Sequence, residues 1–241
     1  MSKLSNQGYV HKNPSLNTIR KKIRRNEVTV LTPEQQKRLL KALKEDPVST
    51  LIKTALGTGA RLGELLALKW DNVDLDNKEI KIEHSLVRTS TFDDKTHKIH
   101  FGSPVVSDLK TESSFRTVPI TNHLAQALKK YKHDQRLYMK SSAQNIYRMD
   151  NFVFTSTVGT HLEQANVRKQ YIKFLKKAKV PYVKFHALRH TFATRVLEAN
   201  IHPKIAQELL GHSTCSTTLD IYSHVLPSHK REAMDKLEGI I

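Results

Sequence analysis

The chain has 241 residues, enough to bury a full core in one or two domains. Its 40 lysine and arginine residues outnumber 23 aspartate and glutamate residues, and the formal charge of +17 makes an anionic polymer the leading partner. No run approaches the ~18 apolar residues of a membrane span, so nucleic acid is favoured over membrane.

The single cysteine, Cys215, excludes an internal disulfide framework and a multi-cysteine metal site. The 13 histidines follow no metal-binding pattern, and neither a metal nor any other cofactor is expected. With a single cysteine, a reducing, intracellular setting is the simplest reading.

Residues 1–27 read as a polar connector that ends in the basic run Lys21, Lys22, Arg24 and Arg25. It is either a solvated tail or a stretch that lies along a phosphate backbone. The folded part begins near Val28. Thr32, Pro33 and Gln35 spell a helix start, with cap, first-turn proline and a residue that can bond back to the cap. A second helical stretch carries Leu51, Ile52, Ala55 and Leu56, and Gly57 and Gly59 are expected to break it. The glycines of GTGARLG follow a helix rather than a strand, which excludes a dinucleotide-binding loop. Arg61 and Glu64 then fall three apart on an otherwise apolar helix. They either pair with each other or the arginine is aimed at an anion.

From about 79 to 120 the pattern changes to strands, with Ile80 and Ile82 alternating with charged residues and FRTVPI at the end. The intervening stretch with Gly102 and Pro104 reads as polar. A small antiparallel sheet is expected, with Lys110 near the hairpin into the last strand; by itself Lys110 reads as a surface lysine. Thr121 caps a helix with Leu124, Leu128 and Tyr131 inward. A helix over about 163–179 buries Val167, Tyr171 and Leu175. Its other side carries Arg168, Lys169, Lys173, Lys176, Lys177 and Lys179, a face that either solubilises the domain or meets DNA.

His186 and Arg189 are three apart, on one helix face. Phe192, Val196 and Leu197 form its apolar backing. Pro203 suits the first turn of a short helix and Gly211 its end. His212 follows that stop, and Tyr222 comes ten residues later. Together these side chains suit binding and attack of a phosphate. A last amphipathic segment, 228–239, with Ala233, Met234 and Leu237, packs at home or on a neighbouring subunit.

The motifs TGARLGELLALKW, LKTESSFRTVPI, HALRH, and LLGHS followed by DIYSH occur in that order. In this ordered set the chain resembles the catalytic domain of the tyrosine recombinases, the phage integrase family, over about residues 28–226. Integrases of bacteriophages and integrative elements look most similar. The resemblance implies an α+β fold, mainly helical with a small antiparallel sheet, of the DNA breaking-rejoining type. It implies 1–27 as a basic interdomain linker and 28–241 as the catalytic domain with a C-terminal helix. The opening GYVHKNP resembles the end of the family's upstream core-binding domain, which is expected to be absent from this chain.

The resemblance also implies a site-specific recombinase acting on double-stranded DNA without a metal, for integration or excision of a mobile element. Tyr222 would attack the phosphodiester and form a 3′-phosphotyrosine. Arg61 and Arg189 would hold the non-bridging oxygens, since a guanidinium fork matches two of them. His212 would hydrogen-bond a phosphate oxygen. Lys110 would protonate the departing 5′-oxygen, and His186 would accept the tyrosine proton. Glu64 would orient Arg61 or brace the fold, and His190 would be structural. A homotetramer on DNA, or a monomer alone, in the bacterial cytoplasm is the expected setting, with no membrane partner. The alternatives are a type IB topoisomerase-like enzyme and a catalytically silent DNA-binding regulator on the same scaffold.

Overall fold

The computed structural model describes residues 29–93, 96–109, 114–141, 151–156, 159–214 and 219. Lys110, Tyr222, the linker 1–27 and the segment 228–239 lie outside the described residues.

The first helix, α1 (Pro33–Ala42), starts where its sequence predicts. Thr32 Oγ1 accepts from the Gln35 N–H and the Gln35 side-chain oxygen accepts from the Thr32 N–H. Pro33 fills a first-turn position whose N–H would have no helical partner. Such a cap contributes about 1 kcal/mol. The extended residues just before it are tied to the far end of the chain. The Leu31 N–H donates to Thr191 Oγ1 at 3.0 Å, and the Leu31 carbonyl accepts from Arg195 at 2.6 Å.

The central helix is α2 (Pro47–Thr58), capped by Asp46 and buried on most of its circumference. Its buried hydroxyls therefore need partners, and Thr54 and Thr58 donate to the carbonyls of Thr50 and Thr54. The expected break at Gly57 does not occur. Gly57 stays helical, and a Cβ there would lie 2.7 Å from the Leu124 side chain, so this glycine permits a close helix approach. The stop is Gly59, at φ 66 in the left-handed region. Arg61 is the N-cap of the next helix, α3 (Leu62–Ala67). Leu65 and Leu66 of that helix are fully buried, each contributing about 1.5–3 kcal/mol.

The expected antiparallel sheet comes as two. Strands β1 (Val73–Asp74), β2 (Glu79–Ile82) and β5 (Arg116–Pro119) form one sheet in the order β1-β2-β5, with Ile80 opposite Val118 on its buried face. Strands β3 (His84–Asp93) and β4 (Lys98–Asp108) form a separate hairpin. The polar stretch with Gly102 and Pro104 is therefore strand. In a two-stranded ribbon each strand has a free edge, so a proline without an N–H is tolerated. Pro104 pairs with Arg88 beside a register irregularity between Arg88 and Ser90. Leu86 is buried and its partner Val106 packs against the core, while Val87, Phe92, Ile99 and Val105 stay exposed, so the ribbon faces inward only near its base.

Four more helices complete the described fold: α4 (Asn122–Ser141), α5 (Gln164–Lys177), α6 (Ala187–Glu198) and α7 (Pro203–Leu210). Thr121 Oγ1 accepts from the Leu124 N–H at 3.3 Å, the expected cap. In α5, Val167, Tyr171 and Leu175 are buried as their spacing predicts, and Arg168, Lys169, Lys173 and Lys176 are exposed. Lys177 reaches back to the Ala42 carbonyl at 3.1 Å. Helix α2 packs against α4 and α6, and α1 packs against α5. The architecture is α+β and mainly helical. Among the described residues no helix is long and apolar enough to cross a membrane.

Candidate active site

Arg189 in the first turn of α6 is only 2% exposed, so its charge must be met by protein groups. Its Nη1 donates to the Gly59 carbonyl at 2.9 Å and its Nη2 to the Leu210 carbonyl at 2.6 Å. Both acceptors end helices: Gly59 closes α2, and Leu210 is the last residue of α7 before left-handed Gly211. Such carbonyls lack intrahelical donors and lie at the negative end of the helix dipole. Two helix ends thus fix the guanidinium, and three of its five N–H donors remain for other acceptors. Burial, and then the Arg61 charge, lower the Arg189 pKa to about 9, which leaves it charged at neutral pH.

Arg61 projects from the junction between α2 and α3 and is half-exposed. Its Nη1 donates to Glu64 Oε1 at 2.7 Å, and its backbone N–H donates to Glu64 Oε2 at 2.8 Å. The expected Arg61–Glu64 pair is present, but it is not closed. Arg116, the first residue of β5, donates to Glu64 Oε2 at 2.8 Å, to the Leu209 carbonyl at 2.8 Å and to the Ser114 carbonyl at 3.1 Å. Burial alone would raise the Glu64 pKa. The hydrogen bond and charge of Arg116, followed by the bonds from Arg61, outweigh it and hold the pKa at about 2. Sequence reasoning passed over Arg116. Its only local trace is an arginine opening an apolar strand, and its partners lie 52 and 93 residues away.

His186 caps α6 and keeps an exposed face, while its ring packs edge-on against His190 with centroids 4.7 Å apart. Partial burial, then the charges of Arg189 and Arg61, lower the His186 pKa. The same kinds of cause lower His190 to about 4 and His212 to about 3, burial first in each. His190 Nδ1 is buried with no hydrogen-bond partner among the described residues. At neutral pH these imidazoles are uncharged, so each has one nitrogen that donates and one that accepts.

These elements converge on one cavity of about 290 Å³, lined by Arg61, Ser114, His186, Arg189, Gly211, His212 and Ser213. Four of the six expected site residues therefore come together: Arg61, His186, Arg189 and His212. Arg189 is buried rather than part of a solvent-facing basic surface. Arg61, His186 and Arg189 also border a second cavity of about 360 Å³, with Arg168, Tyr182 and Lys184 around it. The first cavity presents cationic and neutral donors and no carboxylate of its own, which suits an anion with several acceptor oxygens. Among the described residues no cluster of histidine, cysteine or acidic side chains suits a metal ion.

The phage integrase family matches residues 29–229. A tyrosine recombinase XerC-like protein of Caldanaerobacter subterraneus is 36% identical over 244 aligned residues, covering 97% of this chain and 61% of that protein. The ICEBs1 integrase of Bacillus subtilis is 26% identical over 234 residues, covering 95% and 60%. The transposase from transposon Tn916 of Enterococcus faecalis is 30% identical over 205 residues, covering 81% and 48%. The chain thus spans between 48% and 61% of the length of these relatives. Among solved structures, the Tn1549 transposon integrase in complex with transposon right end DNA superposes with a TM-score of 0.72 at 24% identity, covering 98% of this chain and 75% of that one. The XerA recombinase superposes with a TM-score of 0.63 at 26% identity, covering 88% and 66%.

Proposed function

From the premise that this chain belongs to the phage integrase family, we propose that it cleaves and rejoins double-stranded DNA as a site-specific recombinase, integrating or excising a mobile element. The observation that carries this reading is the convergence of Arg61, His186, Arg189 and His212 on one anion-suited cavity. Tyr222, by its place in the DIYSH motif, is the nucleophile, and Lys110, in LKTESS, is the general acid.

A tyrosine with an ordinary pKa of about 10 is a poor nucleophile at neutral pH. Neutral His186 can take its proton as the oxygen attacks phosphorus. The tyrosine–phosphorus bond forms while the bond to the 5′-oxygen breaks, and Lys110 supplies the proton that oxygen needs. Negative charge gathers on the non-bridging oxygens in the transition state. Arg189, already fixed by two carbonyls, and Arg61, fixed by Glu64, meet that charge without reorganising. His212 donates one N–H to the same oxygens. The phosphotyrosine keeps the bond energy, and reversal by a 5′-hydroxyl rejoins the strand.

The partner is double-stranded DNA, with a homotetramer on the DNA as the recombining assembly and the bacterial cytoplasm as its setting. Solved structures of similar fold, Tn1549 integrase with transposon right end DNA and with circular intermediate DNA, support this choice. So do the formal charge of +17 and the exposed basic side of α5. The test is covalent trapping on a pool of nicked duplexes in EDTA at low salt. A shifted band on a denaturing gel is expected from the wild type and not from Tyr222→Phe. An adduct that survives Tyr222→Phe would remove Tyr222 as nucleophile. Exchange between two marked duplexes separates a recombinase from a topoisomerase-like enzyme.

A further inference from the structure

Glu64 is 1% exposed at its side chain and contacts two arginines of different character. Arg61, at 40% exposure, faces the cavity; Arg116, at 5%, is enclosed behind it. We propose that Arg116 is a positioning residue for DNA cleavage: it takes up the charge of Glu64, so that Arg61 presents an uncompensated positive charge to the scissile phosphate. This rests on the catalytic reading above.

Charge counting gives the reason. Paired with Glu64 alone, Arg61 would form a neutral dipole at the cavity wall, and most of its attraction for a phosphate would be cancelled. In a partly buried setting such cancellation matters far more than in water. Arg61, Arg116 and Arg189 carry three positive charges against the one carboxylate of Glu64, which leaves two. Removing Arg116 leaves one.

Arg116 also has the geometry to hold its neighbours in place. It reaches both Glu64 oxygens, at 2.8 and 3.4 Å, and its Nε donates to the Leu209 carbonyl. The next carbonyl, Leu210, accepts from Arg189. The last turn of α7 therefore binds two arginines side by side, just before Gly211 and His212. Its third acceptor, the Ser114 carbonyl, lies on the segment that joins Lys110 to β5. One enclosed guanidinium thereby links the strand after Lys110, the carboxylate that orients Arg61, and the helix end before His212.

The experiment is single-turnover cleavage of a nicked duplex taken from the trapping selection, with DNA affinity measured separately. Arg116→Met is expected to slow adduct formation by about 30-fold, somewhat less than loss of a direct transition-state donor, while Kd changes by less than about threefold. The double variant Arg116→Met with Glu64→Gln restores the wild-type net charge and is expected to recover about tenfold of the loss. Arg116→Lys keeps the charge but not the fork, and is expected to lie between wild type and Arg116→Met. On a duplex with a neutral methylphosphonate at the scissile position, the Arg116→Met defect should shrink, because the non-bridging charge that Arg61 serves is gone.

A double variant no faster than Arg116→Met, or a defect of equal size on the methylphosphonate, overturns the proposal and leaves Arg116 as packing. If Arg116→Met does not fold by circular dichroism, the lysine and double variants carry the comparison, since neither leaves a buried carboxylate facing an uncharged side chain. A wild type that forms no adduct overturns the catalytic reading itself, and this proposal with it. An adduct in the wild type that Arg116→Met forms equally fast overturns this proposal alone.

Discussion

The guanidinium of Arg189 is bound by the carbonyl of Gly59, 2.9 Å away and 130 residues earlier in the chain. The same glycine ends α2 and precedes Arg61 by two residues. One backbone turn thus positions both arginines of the cavity, Arg61 by covalent connection and Arg189 by a hydrogen bond. Arg189→Lys removes the fork that spans Gly59 and Leu210, so one buried carbonyl loses its donor. Adduct formation is expected to fall at least tenfold and stability by about 1–3 kcal/mol, read by single-turnover trapping and urea unfolding.

Gly59→Ala tests the same turn from the other side. The position has φ 66, and an added Cβ would lie 2.5 Å from a Phe192 ring carbon and 2.8 Å from Leu210 Cδ2. Backbone strain and overpacking then act together. A loss of about 2–4 kcal/mol is expected in urea unfolding. Gly57→Ala, with normal helical φ but a Leu124 contact at 2.7 Å, should cost less because a leucine side chain can rotate away.

Stability should fall with acid in two stages. The folded pKa values of His186, His190 and His212 lie below the ordinary 6.5, so the unfolded chain binds their protons first. Their stabilisation is full above pH 6.5 and is lost as pH falls below it, toward about 4 for His190 and about 3 for His212. Glu64 adds a second loss. Its folded pKa of about 2 lies below the ordinary 4.5, so its contribution is present above pH 4.5 and disappears as pH falls toward 2. That contribution is on the order of 3 kcal/mol. The urea midpoint should decline from pH 7 downward, and Glu64→Gln should flatten only the part below pH 4.5.

Tyr171 is 1% exposed, and its hydroxyl has no hydrogen-bond partner among the described residues. Burial raises its pKa, so the phenol stays protonated. The ring does the packing, edge-on against Phe185 with centroids 5.3 Å apart. Tyr171→Phe should therefore be neutral or stabilising by up to about 1 kcal/mol, and a raised or unchanged Tm is the expected result. A drop of several degrees would mean that the hydroxyl has a partner.

The exposed Lys173 and Lys176 of α5 offer a contact with phosphates. If each meets one phosphate, replacing it with alanine should weaken binding about equally across DNA sequences. It should also reduce the slope of log K against log salt by about 1. An unchanged slope would assign the face to solubility.

Local sequence carried a large part of this molecule because local physics decides it. Thr32, Pro33 and Gln35 start a helix wherever that helix packs, and Gly211 stops one because its left-handed φ of 64 suits a residue without Cβ. The spacing of Val167, Tyr171 and Leu175 exposed the buried side of α5, and the ordered motifs indicated the family and four residues of the cavity. Gly57 and the strand through Gly102 and Pro104 are not legible locally because their roles depend on neighbours: a leucine of another helix, and a pairing strand that is exposed from Val87 to Phe92. Tertiary structure alone decided how Arg116 and Arg189 are held, whereas the Arg61–Glu64 pair follows from local spacing. Arg189 is bound by two backbone carbonyls, and Arg116 joins Glu64 and Leu209 across 52 and 93 residues. Backbone acceptors carry no side-chain identity, and contacts at such separation follow no period, so only the folded chain brings these donors and acceptors together.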